Sequence, residues 1–147
     1  LARFHDEAHP EKGLAFAGRA AEEFKLSSGA WVYGGALRDQ ILKALAPDAM
    51  DVVLCDENRP YLAVLLWTTR ETPPDSISER LIAFNKTQHG GASRLRRALV
   101  LKTPPDPNAH ELSDKGTVNR RAVIDRRRAD VERLFADAPE SDIIIIE

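Results

Sequence analysis

Residues 18–38 read Gly-Arg-Ala-Ala-Glu-Glu-Phe-Lys-Leu-Ser-Ser-Gly-Ala-Trp-Val-Tyr-Gly-Gly-Ala-Leu-Arg, and the rest of the chain is organised around them. Phe24-Lys25-Leu26 and Trp31-Val32-Tyr33 are short β-prone runs. The Ser27-Ser28-Gly29-Ala30 between them is turn chemistry, so the segment predicts a β-hairpin. A helix follows at once. Gly34-Gly35 frees the chain to bend, and residues 36–46 carry Leu37, Ile41, Leu42 and Leu45 at the spacing of one buried helical face.

Pro47-Asp48 stops that helix. Two mostly apolar runs, 50–55 and 62–67, lie on either side of Asp56-Glu57-Asn58-Arg59-Pro60 and predict paired, buried strands. After the double-proline linker 68–75, Asp75 or Ser76 can cap a helix to about Thr87, with Ile77, Leu81, Ile82 and Phe84 facing inward. Gly90-Gly91 is expected to end it. Residues 93–98 predict a second short helix leading into a strand at 99–101. The loop 102–118 has three prolines and little apolar periodicity, and a loop of that length in a compact domain is more often functional than idle. Asn119 can cap a final helix to about Ala136, with Val123, Ile124, Val131, Leu134 and Phe135 on its inner side. Ile143 to Ile146 has strong strand propensity, with no partner legible in the sequence. Upstream, Leu14-Ala15-Phe16 follows a polar loop and reads as a short strand. There is no internal repeat. The expected class is α+β, a small sheet with a β-hairpin and about three to four helices packed against it.

At 147 residues the chain has room for one domain with a real core. With 43% hydrophobic residues, 30% charged residues and a net charge of −2, neither a disordered tail nor a strongly basic nucleic-acid binder is expected. Cys55 is the single cysteine, which excludes an intramolecular disulfide and a Cys-rich zinc site and fits a reducing, cytoplasmic setting. No apolar run approaches the roughly 18 to 20 residues of a spanning helix, and the start lacks the charged-then-apolar order of a signal peptide, so no membrane partner is expected. His5, His9, His89 and His110 are far apart, without metal-ligand spacing, and no metal site is predicted. Arg94, Arg96 and Arg97, with Arg120, Arg121 and Arg126 to Arg128, raise a nucleic-acid reading. Asp125, Asp130 and Glu132 interleave with the last group, which favours a solvated helix face or a surface against another domain. No Ser/Thr/Gly-rich phosphate loop occurs, so the chain is not expected to be a complete nucleotide-using catalyst. An apolar run almost at the first residue, with no initiating Met, likewise suggests a piece of something longer.

Gly18-Arg19, Glu22-Glu23-Phe24-Lys25-Leu26, Ser28-Gly29, Trp31-Val32, Ala36-Leu37-Arg38 and Ser113-Asp114-Lys115-Gly116 with Asn119 form an ordered set. In that set the chain resembles the C-terminal domain of the adenylate-forming enzymes, the acyl-CoA synthetases and their relatives, and most closely the feruloyl-CoA synthase-like branch. The resemblance implies that residues 1–19 end a large nucleotide-binding domain, that 20–138 form a mobile small domain, and that 139–147 are a tail. It implies an acid-thiol ligase, AMP-forming, acting as part of a longer chain. A carboxylate attacks the α-phosphate of ATP to give an acyl-adenylate, and CoA thiol then displaces AMP, the small domain turning between the steps. The implied cofactors are ATP, CoA and Mg2+, held mainly by the large domain. The implied partners are that domain, a small-molecule carboxylic acid and CoA.

Residue by residue, Arg19 matches the family arginine that contacts the nucleotide, a role suited to a permanently charged, forked guanidinium. A structural arginine at a strand end is the alternative. Ala21 falls at the family's hinge position, where Asp or Lys is usual. Gly29 matches the hairpin glycine brought into the active site for thioester formation, with Ser28 and Trp31 beside it in the CoA/pantetheine tunnel; the alternative is an ordinary turn glycine. For the adenylation lysine, aligning Gly116 with the glycine of the usual Gly-Lys pair puts Thr117 at the catalytic position. The feruloyl-like branch has Asp-Lys-Gly here, which makes Lys115 the candidate against a plain solvated loop lysine. A stand-alone module holding RNA or a protein through the arginine-rich last helix is the reading of a different class.

Overall fold

Two strands with apolar side chains on both faces form the centre of the molecule. In the computed structural model, which describes residues 2–4, 14–16, 23–55, 59–89 and 93–146, strands β5 (Ala49–Cys55) and β6 (Leu62–Thr68) pair antiparallel, Val53 opposite Leu65. Every residue from 52 to 55 and from 62 to 67 is buried. A near-continuous apolar run of this kind belongs to a strand covered on both sides.

The two covers are distinct. On one face Val52, Leu54, Leu62, Val64 and Leu66 pack with α1 (Gly34–Leu45) and α2 (Pro74–Thr87) through Leu37, Ile41, Leu45, Ile77, Leu81 and Phe84. On the other, Val53, Cys55, Ala63, Leu65 and Trp67 meet Val123, Val131 and Leu134 of α3 (Arg120–Arg126) and α4 (Arg128–Leu134). The period-2 alternation of strand side chains divides one run of residues between two cores.

Strand β7 (Leu95–Val100) lies parallel to β6, with α2 as the crossover that a parallel pair requires. Strand β8 (Ile143–Ile145) closes the edge antiparallel to β7, Ala98 opposite Ile144, so the four-stranded mixed sheet runs β5-β6-β7-β8. The isoleucine run therefore has a partner. Arg133 on α4 holds the approach to it through Asp142 at 2.6 Å and Glu140 at 3.0 Å. Strands β3 (Glu23–Lys25) and β4 (Trp31–Tyr33) form the hairpin expected from the turn chemistry, Lys25 opposite Trp31. A separate antiparallel pair joins β1 (Ala2–Phe4) and β2 (Leu14–Phe16).

The α+β class is as expected. Three local expectations are corrected. The short helix expected at 93–98 is strand: Leu95, Ala98 and Leu99 are buried between β6 and β8, and ladder bonds on both sides override the local preference. The cap of α2 is Pro73 with Pro74 at the first turn, a position that wastes no N–H, while Asp75 lies inside the first turn where its charge suits the helix dipole. The single final helix is broken at Arg127, whose ψ of 34° separates α3 from α4, although Asn119 caps α3 as expected by accepting from the Ala122 N–H at 3.3 Å. The Gly90-Gly91 stop lies outside the described residues.

Candidate functional site

The hairpin tip is closed by main-chain bonds: the Leu26 N–H donates to the Ala30 carbonyl and the Gly29 N–H to the Leu26 carbonyl, each at 2.9 Å. This turn needs a positive φ, and Gly29 supplies it at +85° without the Cβ penalty. Ser28 and Gly29 are exposed at the tip, while Leu26 and Val32 root the hairpin in the core beside α1. Trp31 and Tyr33 stand outward on the opposite face of β4 from Val32, 54% and 51% exposed, and the Lys25 ammonium lies 4.8 Å from the Trp31 ring centroid. The Ser27 N–H donates to the Arg59 carbonyl at 3.0 Å, tying the tip to the loop before β6. The Arg59 side chain is itself held by Glu132 and lies over the Phe135 ring.

Lys115 sits in a second, separate tip. Residues 113–117 form a turn in which the Ser113 N–H donates to the Thr117 carbonyl and the Gly116 N–H to the Ser113 carbonyl, both at 2.9 Å. Gly116 takes a φ of +77°. Leu112 and Val118 bridge antiparallel at the neck below it. Lys115 is exposed and makes no ion pair or side-chain hydrogen bond among the described residues.

The neck is fastened by a group the sequence did not single out. Glu111 is fully buried, its carboxylate accepting from Arg127 Nε at 2.9 Å, Arg127 Nη2 at 3.0 Å and the Asp106 N–H at 2.8 Å. The Arg127 fork holds its carboxyl below the ordinary value of 4.5; burial opposes this, and the Asp106 N–H and the nearby Arg126 assist it. Arg127 also donates to the Thr103 and Pro104 carbonyls at 3.1 and 2.9 Å, and its guanidinium lies 5.4 Å from the Trp67 ring centroid. No local pattern marks this residue out. Arg126, Arg127 and Arg128 read alike in sequence, yet the Arg127 side chain is 10% exposed and its neighbours 47% and 60%.

The hairpin brings Ser28, Gly29 and Trp31 together, and Lys115 stands apart from them on a loop joined to the other core, where Val118 packs and Trp67 holds the Thr103 carbonyl through Nε1 at 2.8 Å. Arg19 and Ala21 lie outside the described residues. Several arginines of the last helices are engaged internally. Arg120 Nε donates to the Leu54 carbonyl at 2.9 Å, Arg128 pairs with Asp125 at 3.1 Å, and Arg133 with Asp130 at 3.2 Å. Arg97 caps the end of α4 through the Leu134 and Ala136 carbonyls. A helix face neutralised in this way does not favour nucleic-acid binding. Among the described residues no group of three or more His, Cys, Asp or Glu could hold a metal ion, and no helix is long and apolar enough to cross a membrane.

No protein-family model and no curated protein matches the chain. Among solved structures it is similar to the A domain of carboxylic acid reductase from Segniliparus rugosus in complex with AMP and a co-purified carboxylic acid, with a TM-score of 0.70 and 18% identity over 84% of this chain and 21% of that one. The adenylation domain of a carboxylate reductase from Mycobacterium chelonae matches with a TM-score of 0.70 and 20% identity over 86% of this chain and 21% of that one. The A-PCP didomain of the Segniliparus rugosus enzyme in complex with AMP gives 0.68 and 19% over 85% and 19%. At these identities the likeness is one of fold, and the chain spans about a fifth of the length of the structures it matches. These three solved structures are A, or adenylation, domains of carboxylic acid reductases; the likeness shows a shared fold and does not support the feruloyl-CoA synthase-like branch.

Proposed function

We propose that this chain is the mobile small domain of a longer adenylate-forming enzyme, an acyl- or aryl-CoA synthetase of the feruloyl-CoA synthase-like kind, with residues 1–19 ending the large domain and 20–138 forming the small one. The observation that carries the reading is the placement of the two exposed tips. Gly29 is rooted in the core on one face of the sheet and Lys115 is joined to the core on the other. A sheet with a different tip attached on each of its faces suits a domain that turns between two half-reactions, presenting one loop and then the other.

In the first half-reaction a carboxylate oxygen attacks the α-phosphorus of ATP and pyrophosphate leaves. Lys115, on an exposed turn and without a side-chain partner among the described residues, would meet the negative charge that develops between carboxylate and phosphate. In the second, the CoA sulfur attacks the acyl carbon and AMP leaves. The bare Gly29 backbone, flanked by Ser28 and Trp31, would line the path of the pantetheine arm. Arg19 would contact the nucleotide and Ala21 would lie at the hinge. ATP, the Mg2+ that accompanies it, and the acid would be held mainly by the large domain.

The test is Lys115→Ala in the full-length protein, which should lower acid-dependent pyrophosphate exchange by roughly 10²-fold or more, the scale for one preorganised charge contact. Thioester formation from supplied acyl-adenylate should survive. Thr117→Ala is the control for the rival alignment. Unchanged exchange in the Lys115 variant would remove this role for the loop.

A further inference from the structure

We infer that the buried Glu111–Arg127 pair is a positioning device for Lys115, setting the direction in which the 113–117 turn points. The inference rests on the adenylation role proposed for that lysine.

Glu111 and Arg127 are separated by 16 residues, yet together they hold the start, the neck and the far side of the loop. The carboxylate takes both forked N–H groups of Arg127 and the Asp106 N–H. The main-chain carbonyl of the same Glu111 accepts the Asn119 N–H at 2.8 Å, across the neck where Leu112 bridges Val118. Arg127 carries the grip to the start of the loop through the Thr103 and Pro104 carbonyls, and Trp67 donates to the same Thr103 oxygen. Among the described residues, the turn that carries Lys115 has only its own hydrogen bonds beyond this neck. Its orientation is therefore set by whatever holds residues 111, 112, 118 and 119.

Stability alone is a poor reason for such a pair. Burying two charges costs desolvation that their attraction often does no more than offset, and an apolar pair of similar volume commonly serves a core as well. What an apolar pair lacks is direction. A bidentate guanidinium–carboxylate fork fixes both distance and angle. Here the fork also sits at the break between α3 and α4, so the loop is keyed to one point of the helical layer. A loop lysine that must meet a transition state needs this kind of support, because a misplacement of about 1 Å can cost on the order of 10²-fold in rate.

The experiment is a double-mutant cycle in the full-length protein, with pyrophosphate exchange and thioester formation from supplied acyl-adenylate both measured. Glu111→Gln should lower exchange by roughly 10- to 100-fold and affect thioester formation far less. Added to Lys115→Ala, it should lower exchange no further. Equal losses in both half-reactions, or full additivity with Lys115→Ala, would assign the pair to general stability and overturn the inference. If Lys115→Ala impairs exchange and Glu111→Gln does not, the inference falls while the lysine's role stands; if Lys115→Ala changes nothing, both fall. Should Glu111→Gln fail to fold, Arg127→Lys keeps the charge, removes the fork and must show the same split.

Discussion

Replacing Gly29 separates backbone geometry from bulk at the hairpin tip. A Cβ on Gly29 would meet nothing within 4 Å among the described residues, so none of them resists a side chain there, and the penalty comes from the φ of +85°. For an L-residue in the left-handed region that penalty is roughly 1–2 kcal/mol. For a chain of this size it corresponds to a few degrees of melting temperature. Gly29→Ala and Gly29→Leu should therefore destabilise the chain alike, and Gly29→Asn less, because its short polar side chain tolerates this region. Catalysis should rank them differently. In the full-length protein all three should retain pyrophosphate exchange, whereas thioester formation from supplied acyl-adenylate should fall modestly for Ala and far more for Leu, whose branched carbons would project from the exposed tip into the path proposed for pantetheine. Calorimetry on the chain and the two half-reaction assays on the intact enzyme read the two effects independently. A Leu variant much less stable than the Ala variant would refute the open geometry of the tip. Equal loss of exchange and thioester formation would refute its assignment to the second half-reaction.

Three further outcomes are expected. The 147-residue chain alone should fold and yet give no acid-dependent pyrophosphate exchange over a panel of aryl and fatty acids; exchange above a no-enzyme blank would contradict its reading as a small domain. Thr117→Ala should leave exchange near wild type while Lys115→Ala lowers it, and the reverse order would favour the rival alignment of the loop. Because the folded state holds the Glu111 carboxyl below its ordinary 4.5, this group's contribution to stability is fully present above that pH and is lost as pH falls through the lower folded value. Acid titration of unfolding should accordingly show a steeper loss below about 4.5 in wild type than in Glu111→Gln, and parallel curves would count against the charged pair.

The residues themselves settle much of this architecture. Two mostly apolar runs of six residues on either side of a polar turn read as paired, buried strands, and β5 and β6 are that pair. Ser27-Ser28-Gly29-Ala30 between β-prone triplets closes a hairpin because glycine supplies the one backbone conformation the turn requires. The apolar faces of α1 and α2 and the Asn119 cap were legible for the same reason: their signals lie within a turn or two of chain. The exposed tips at Gly29 and Lys115 were legible as motifs, though not their attachment to opposite faces of one sheet.

Tertiary structure decided the rest, where distant residues had to meet. Residues 95–100 are strand because β6 and β8 bond both sides of them, a term larger than the few tenths of a kcal/mol per residue by which local propensity separates helix from strand. Ile143–Ile145 had the propensity for a strand and acquired a partner only when β7 took its place in the sheet. Among three consecutive arginines, Arg127 is the one that turns inward to fork onto a glutamate 16 residues away, which the half-exposed Arg126 approaches to 3.6 Å, and the final helix breaks at Arg127. A charge pair across that separation leaves no periodic trace in the chain, since its energy depends on burial and on the angle of the fork, and the assembled fold alone provides both.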